Sequence, residues 1–288
     1  MNRSLLPRNS FFRLLLLAVC LLAASQASAQ ILEERGEKLN TDSLHQEFER
    51  LPWFGLYKDN YFVFGSPIGS KADKTNTNVK FQISVFQRLT KTVLPFNSYI
   101  YLFYSQRCIW NVLEKSLPMK DLNFNPGIGV GKPIIRKNGR FIGVVQLVVE
   151  HESNGRDSIW SRSWNKVSLG GNVMLTPTVN LNARVWIPIV DGEYNRDLLR
   201  YNGVCQMGVS YISRNKRFGA SLLATKRKTP RLDFNTVVEV NYKFFKSSNQ
   251  YCFLQYYNGY GENLLYYNQF RSQLRIGLVI KPKLFSEY

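Results

Sequence analysis

From Trp53 to its carboxyl end the chain alternates apolar and polar residues with a period of two, the pattern of strands rather than helices. Val79, Phe81, Ile83 and Val85 alternate with Asn78, Lys80, Gln82 and Ser84. Val179, Leu181, Ala183, Val185 and Ile187 alternate with Asn180, Asn182 and Arg184, and Leu274, Ile276, Leu278 and Ile280 with Gln273 and Arg275. Such runs number about twelve, near residues 53–64, 78–89, 97–107, 121–131, 140–153, 161–175, 178–188, 201–212, 216–226, 232–245, 249–259 and 270–281, an even number as a closed barrel requires. A soluble sandwich also alternates, but it does not set charged side chains opposite an apolar face over ~10-residue runs, strand after strand. The pattern therefore predicts an all-β fold, a closed antiparallel transmembrane β-barrel of about twelve strands with lipid covering the apolar faces. No helical stretch is long enough to compete. Short connections at Thr176-Pro177, Ser213-Arg214-Asn215 and Ser247-Ser248 alternate with longer polar ones, the turn-and-loop asymmetry of such barrels. Tyr57, Phe64, Tyr99, Tyr101, Tyr201, Tyr211, Tyr256 and Tyr257 fall near strand ends and fit interfacial aromatic girdles.

The amino-terminal part reads differently. Residues 1–29 carry Arg3, Arg8 and Arg13, an apolar run from Leu14 to Ala24, and the small-residue pattern Ala27-Ser28-Ala29, which together form a secretory signal with the mature start at Gln30. A transmembrane anchor is the competing reading, but the run is short of the ~20 residues needed to span. Cys20 lies inside the apolar run and is a signal residue. Residues 30–52 form an acid-rich leader with Leu44, Phe48 and Leu51 at helical spacing, and residues 53–288 form the barrel domain. His45 sits among the leader's charges as a solvated residue.

The formal net charge is +18; the signal holds three arginines and no acid, which leaves the exported part at +15. Inside a cell that balance would point to nucleic acid, and export argues against it. A basic exported surface faces anionic lipid head groups or lipopolysaccharide phosphates, or it is divided among solvated loops and barrel lining. Cys108, Cys205 and Cys252 show neither metal-ligand spacing nor a paired framework, so no structural disulfide is expected.

One stretch carries candidate chemistry. Counting by twos from Val145, Leu147 and Val149 lands on His151 and Ser153, which places a base and a nucleophile on the same outward face of one strand. After a polar loop at Gly155, the run Ser161, Ser163, Asn165, Val167, Leu169 puts Asn165 on the apolar face of the next strand. Ionisable groups at such a rim are expensive and usually functional, although a histidine, serine and asparagine also meet by chance in polar loops.

The block HESNGRDSIWSRSWN, residues 151–165, resembles the active-site signature of the outer-membrane phospholipase A family, a set of twelve-stranded, calcium-dependent lipases. Asn195-Arg196-Asp197-Leu198 is similar to that family's Asn-Pro-Asp loop, and Tyr257-Asn258-Gly259-Tyr260-Gly261-Glu262-Asn263-Leu264 to its segment before the last strand. The similarity runs from about Phe54 to the carboxyl terminus and is clearest from Glu150. It implies Ser153 as nucleophile, His151 as base, Asn165 as the residue orienting the histidine, and the Gly155 N–H in the oxyanion hole. It implies Ca2+ held by the Arg156 carbonyl, the Ser161 hydroxyl, Asp197, and Ser116 of a partner copy, in a homodimer favoured by calcium and substrate. The family's dimer-bridging glutamine aligns with Asn111, and its loop acid with Asp157. The function so implied is phospholipase A1/A2 and lysophospholipase hydrolysis in the outer membrane of a Gram-negative cell, with phospholipid as substrate and no nucleic acid. A passive barrel without chemistry and an acyltransferase are the alternatives.

Overall fold

The computed structural model describes residues 52–92, 94–135, 141–189, 193–245 and 249–282. The expected signal, and all of the leader but Pro52, lie outside the described residues.

The first two strands, β1 (Phe54–Leu56) and β2 (Asn60–Pro67), both pair antiparallel with β3 (Asn78–Arg88). They form one interrupted strand line, broken where Tyr57 turns into the interior. The meander continues through β4 (Tyr99–Trp110), β5 (Met119–Ile135), β6 (Phe141–Ser153), β7 (Ser163–Met174) and β8 (Val179–Ile189). A short helix, α1 (Leu198–Asn202), precedes β9 (Cys205–Ile212), β10 (Phe218–Lys226), β11 (Phe234–Tyr242), β12 (Gln250–Gly259) and β13 (Arg271–Ile280). Pairing of β13 with β2, from Ile280↔Asn60 to Gln273↔Pro67, closes the sheet into a twelve-stranded antiparallel barrel. Closure leaves no sheet edge to face hydrocarbon.

The strand expected at 201–212 starts at Cys205 instead, because Tyr201 and Asn202 belong to α1. Five residues carry too little periodicity to announce a helix. Tertiary packing holds it: Leu198 joins Trp164, Trp186, Leu264 and Tyr267 in a buried cluster, and the Gly203 N–H closes the helix on the Leu199 carbonyl.

Side-chain direction follows the alternation. On β6, Val145, Leu147 and Val149 are 41–50% exposed, whereas Val144, Gln146, Val148 and Glu150 are at most 2% exposed. The apolar parity faces outward and the other parity lines the lumen. Four of the aromatics expected in the girdles break this rule: Tyr57, Tyr99, Tyr101 and Tyr257 are buried inside. On β4 both faces are apolar, so alternation cannot choose between them. The choice is made by β5, where Gly131, Gly129 and Gly127 stand opposite Tyr99, Tyr101 and Phe103. A Cβ on any of these glycines would come within 2.5 Å of a ring atom of its partner, so only glycine lets the rings lie flat on the inner wall. Phe64 and Tyr211 remain exposed, as girdle residues should be.

The rest of the lumen is ionic. Arg275 and Lys80 converge on Glu262, at 2.6 and 3.3 Å, and Lys80 also donates to Gln255, which donates to Glu239. Glu262 belongs to the β12–β13 loop, which folds inward and ties its Leu264 and Leu265 N–H groups to Asn123 and Asp121 of β5. Glu150 accepts from Asn125, Ser168 and Arg184 at 2.9–3.0 Å and lies 3.6 Å from Lys166. These charges persist in a low dielectric because Glu262 and Glu150 are paired with cations and Glu239 is hydrogen-bonded by Gln255 and Ser221. Glu150→Ala removes the carboxylate that the buried Arg184 holds at 2.9 Å and leaves the half-buried Lys166 with Glu152 at 3.8 Å, and should destabilise the barrel by about 3–5 kcal/mol. Denaturant unfolding of the refolded protein reads this directly, and an unchanged midpoint would mean that Glu150 is not the anchor of this wall.

Candidate active site

Strands β6 and β7 place His151 directly opposite Asn165 and Ser153 opposite Ser163. Across that pairing His151 Nδ1 lies 2.8 Å from Asn165 Oδ1. An amide oxygen only accepts, so Nδ1 must carry the proton, and Nε2 is left with the lone pair a general base needs. Ser153 lies two residues farther along the same outward face, one pleat repeat of about 7 Å. The Ser153 hydroxyl makes no side-chain hydrogen bond among the described residues, so its contact with His151 is open in this conformation.

The ladder beneath the histidine is modified. Strand β5 pairs Phe124 with Ser153 and resumes at Gly127 with Glu150, skipping the position where Pro126 faces His151. Proline has no N–H to give the ladder. The side chain of Asn125 supplies the donor, reaching the His151 carbonyl at 2.9 Å and the Glu150 carboxylate at 3.0 Å. On the lumen side Glu152 accepts from Trp164 Nε1 at 3.0 Å and sits 3.5 Å from Arg107. The face that carries His151 and Ser153 therefore has a hydrogen-bonded polar backing.

The loop joining the two strands hangs from one residue. Asn154, 3% exposed, accepts from the Arg162 N–H at 3.0 Å and the Arg156 N–H at 3.4 Å, and donates to the Trp160 carbonyl at 2.9 Å. Gly155 follows with φ +63°, and a Cβ there would lie 2.8 Å from the Phe124 ring. Both the left-handed backbone and the close approach require glycine. Around this turn the Arg156 carbonyl and the Ser161 hydroxyl are engaged by no described residue. Two uncommitted hard oxygens on one short loop fit calcium, which takes carbonyl, hydroxyl and water ligands. No group of three or more His, Cys, Asp or Glu residues forms a metal cluster among the described residues.

The other expected ligands lie elsewhere. Ser116 is exposed at the tip of the β4–β5 loop with φ +77°, beside the exposed Leu113 and Leu117. The start of β5, just after this loop, meets Arg156, whose guanidinium donates to the Lys120 carbonyl at 2.9 Å. Asp197 caps α1, and its carboxylate accepts from the Tyr267 hydroxyl. Burial, then this carboxylate, push the Tyr267 hydroxyl well above its usual pKa and keep it a donor. Asn195 ties the same loop to the active-site strands, donating to the Ser163 carbonyl at 2.9 Å.

A family model described as phospholipase A1 matches residues 33–280. The chain belongs to the phospholipase A1 family. Phospholipase A1 of Salmonella typhimurium is 25% identical over 248 residues, covering 78% of this chain and 80% of the relative. Phospholipase A1 of Escherichia coli K12 is 26% identical over 216 residues, covering 70% and 69%. Among solved structures, the Salmonella typhi outer membrane phospholipase, described as a dimer with bound calcium, superposes with a TM-score of 0.71 at 22% identity, over 85% of this chain and 98% of that one. The Escherichia coli outer membrane phospholipase A gives the same TM-score over 84% and 96%. At these identities the structures establish a shared barrel.

Within this phospholipase A1 barrel one correspondence from the sequence is corrected. Asn111 does not point to a partner: it is 0% exposed, and its amide donates to the Thr75 carbonyl and to Glu114. The amide on the outer face of β4, the strand before Asn111, is Gln106, in one transverse row with Ile83, Phe124 and Ser153. Parity would have found it, since Gln106 continues Leu102 and Tyr104. Asn125 and Asn154 were also missed, because only the register gives their amides work to do. Replacing Gly155 by Ala should cost about 1–2 kcal/mol of local strain and lower ester hydrolysis at least tenfold, with the barrel still folded. Heat-modifiable migration together with fatty-acid release tests this; wild-type turnover would remove the Gly155 turn from the site.

Proposed function

We propose that this chain is an outer-membrane, calcium-assisted phospholipase A that hydrolyses acyl esters of glycerophospholipids through Ser153, His151 and Asn165. The observation that carries the reading is the 2.8 Å contact between His151 and Asn165 on the lipid-facing rim of β6 and β7, with Ser153 on the same face. A relative's solved structure is described as an active-site mutant in which an asparagine is replaced by alanine, which supports the role given to Asn165.

The chemistry follows from the atoms. Ser153 Oγ attacks the ester carbonyl while His151 Nε2 takes its proton, and Asn165 holds the imidazolium by its Nδ1–H. The Gly155 N–H points to the oxygen that becomes negative. Collapse expels the lysophospholipid alkoxide, which takes the proton back from His151. Water, activated by the same histidine, then releases the fatty acid from Ser153. A neutral amide in the third position keeps a carboxylate away from hydrocarbon but stabilises the imidazolium less. Calcium, when bound to the Arg156 carbonyl, the Ser161 hydroxyl, waters and Ser116 of the partner subunit, supplies positive charge beside that oxyanion. Asp197 joins this set only by releasing Tyr267. In the dimer Gln106 is the outward amide available to a partner's lipid-facing wall. The chain enters the envelope by a signal, residues 1–29, that is removed.

Ser153→Ala should abolish fatty-acid release, a loss on the order of 10^4-fold or more, and leave a heat-modifiable barrel. Asn165→Ala should cost about 10^2-fold, because the imidazole loses its orienting acceptor but not its reach to Ser153. Release of fatty acid from defined phospholipid in detergent measures both, and near-wild-type rates for Ser153→Ala would end the mechanism. Activity and cross-linked dimer should rise together across a calcium titration, since ligands contributed by two barrels link metal binding to association. Full activity in a population shown to be monomeric would remove Ser116 from the calcium site.

A further inference from the structure

The net positive charge left unexplained by the active site is not spread evenly over the barrel. At the loop end basic residues also outnumber acids, but they stand among Asp73, Glu114, Asp157, Asp197, Asp233 and Glu262, and Lys120 and Arg227 are paired with Glu114 and Asp233. At the opposite, short-turn end stand Lys91, Lys132, Arg214, Lys216, Arg217 and Lys243. Asp59 is the acid of that end among the described residues, and it is already paired with Lys281. None of the six basic residues has an ion-pair partner among the described residues, and Lys91, Lys132, Arg214 and Lys216 are exposed.

Exposed aromatic rings share this rim. Phe96 is 81% exposed with the Lys132 ammonium 5.5 Å from its ring, and Phe218, Tyr242, Phe244 and Phe245 project from the next turns. Lys132 sits on the outward face of β5, opposite Val145, whose face is lipid-covered. Its ammonium can leave the hydrocarbon only by extending toward the head groups, where aromatic rings also settle. Rings at the carbonyl level and cations just beyond them match the layered chemistry of a phosphate-bearing leaflet. Short turns mark the periplasmic end of such barrels, and the leaflet there is built of glycerophospholipid.

We infer that the short-turn end is a binding surface for anionic glycerophospholipid, holding phosphatidylglycerol-type head groups around the barrel at the end opposite Ser153. The inference rests on the membrane-barrel reading and is separable from it. Lipid held there is kept a strand's length from the nucleophile, so it fixes the depth and orientation of the barrel without being consumed. The charges act additively at a surface and are screened by salt over a Debye length.

The test uses the full barrel carrying Ser153→Ala, so that lipid is not hydrolysed, reconstituted into phosphatidylcholine vesicles doped with spin-labelled phosphatidylglycerol or spin-labelled phosphatidylcholine. The expected result is about fivefold preferential association of phosphatidylglycerol at low salt, falling toward parity at 0.5 M salt. Changing Lys91, Lys132, Arg214, Lys216, Arg217 and Lys243 to Gln should abolish the preference, and changing Lys71, Lys74, Lys228 and Arg231 to Gln should leave it. The three-residue set Arg214→Gln, Lys216→Gln and Arg217→Gln, confined to one turn, should reduce it by about half and serves if the larger variant does not fold. Equal association of both lipids, a preference that survives the short-turn substitutions, or one shown only toward added lipid A overturns the inference. A barrel that fails to insert at all would instead count against the membrane reading itself.

Discussion

Hydrocarbon offers a polypeptide no hydrogen bonds, and every other feature of this chain is arranged around that deprivation. Each strand must spend its N–H and C=O groups on neighbours, and the last strand must find the first, as β13 finds β2. Closure leaves each side chain two destinations, lipid or lumen. The lumen is too polar to be a hydrophobic core, and its walls carry paired charges and hydrogen-bonded polar groups. Glu262 with Lys80 and Arg275 occupies one wall, and Glu150 with Lys166 and Arg184 another. Aromatic rings lying on glycines fill a third.

The same ladder that satisfies the backbone also builds the site. His151 and Asn165 are cross-strand neighbours, held together by the register of β6 and β7. Pro126 interrupts the pairing under the histidine, and the Asn125 amide repairs the lost donor. The joining loop is shaped by Asn154, whose buried amide gathers three backbone groups of the turn. Precision at the rim therefore derives from amides doing the work of backbone.

The two ends of the barrel have different chemistry. The loop end mixes acids, bases and uncommitted oxygens, and it closes over the lumen through the β12–β13 segment. The turn end is basic and ringed by aromatics.

Alternation by itself determined the number of strands, most of their positions, and the lipid-facing parity that puts His151 and Ser153 outward, because in a barrel each residue's face follows from counting by twos where one face is apolar. The expected run 140–153 differs from β6 by one residue. The motif at 151–165, through its resemblance to the phospholipases, suggested which residues react. Where counting carries no information, tertiary structure decided. Tyr99 and Tyr101 turn inward because of glycines on a different strand, and α1 forms because Leu198 has a buried cluster to join. Asn111 is buried between its own loop and the β2–β3 loop, donating to Glu114 and to the Thr75 carbonyl, while Gln106 faces out. These outcomes depend on which residue lies across the ladder, and that neighbour is set by loop lengths and register, which a single strand's pattern does not contain.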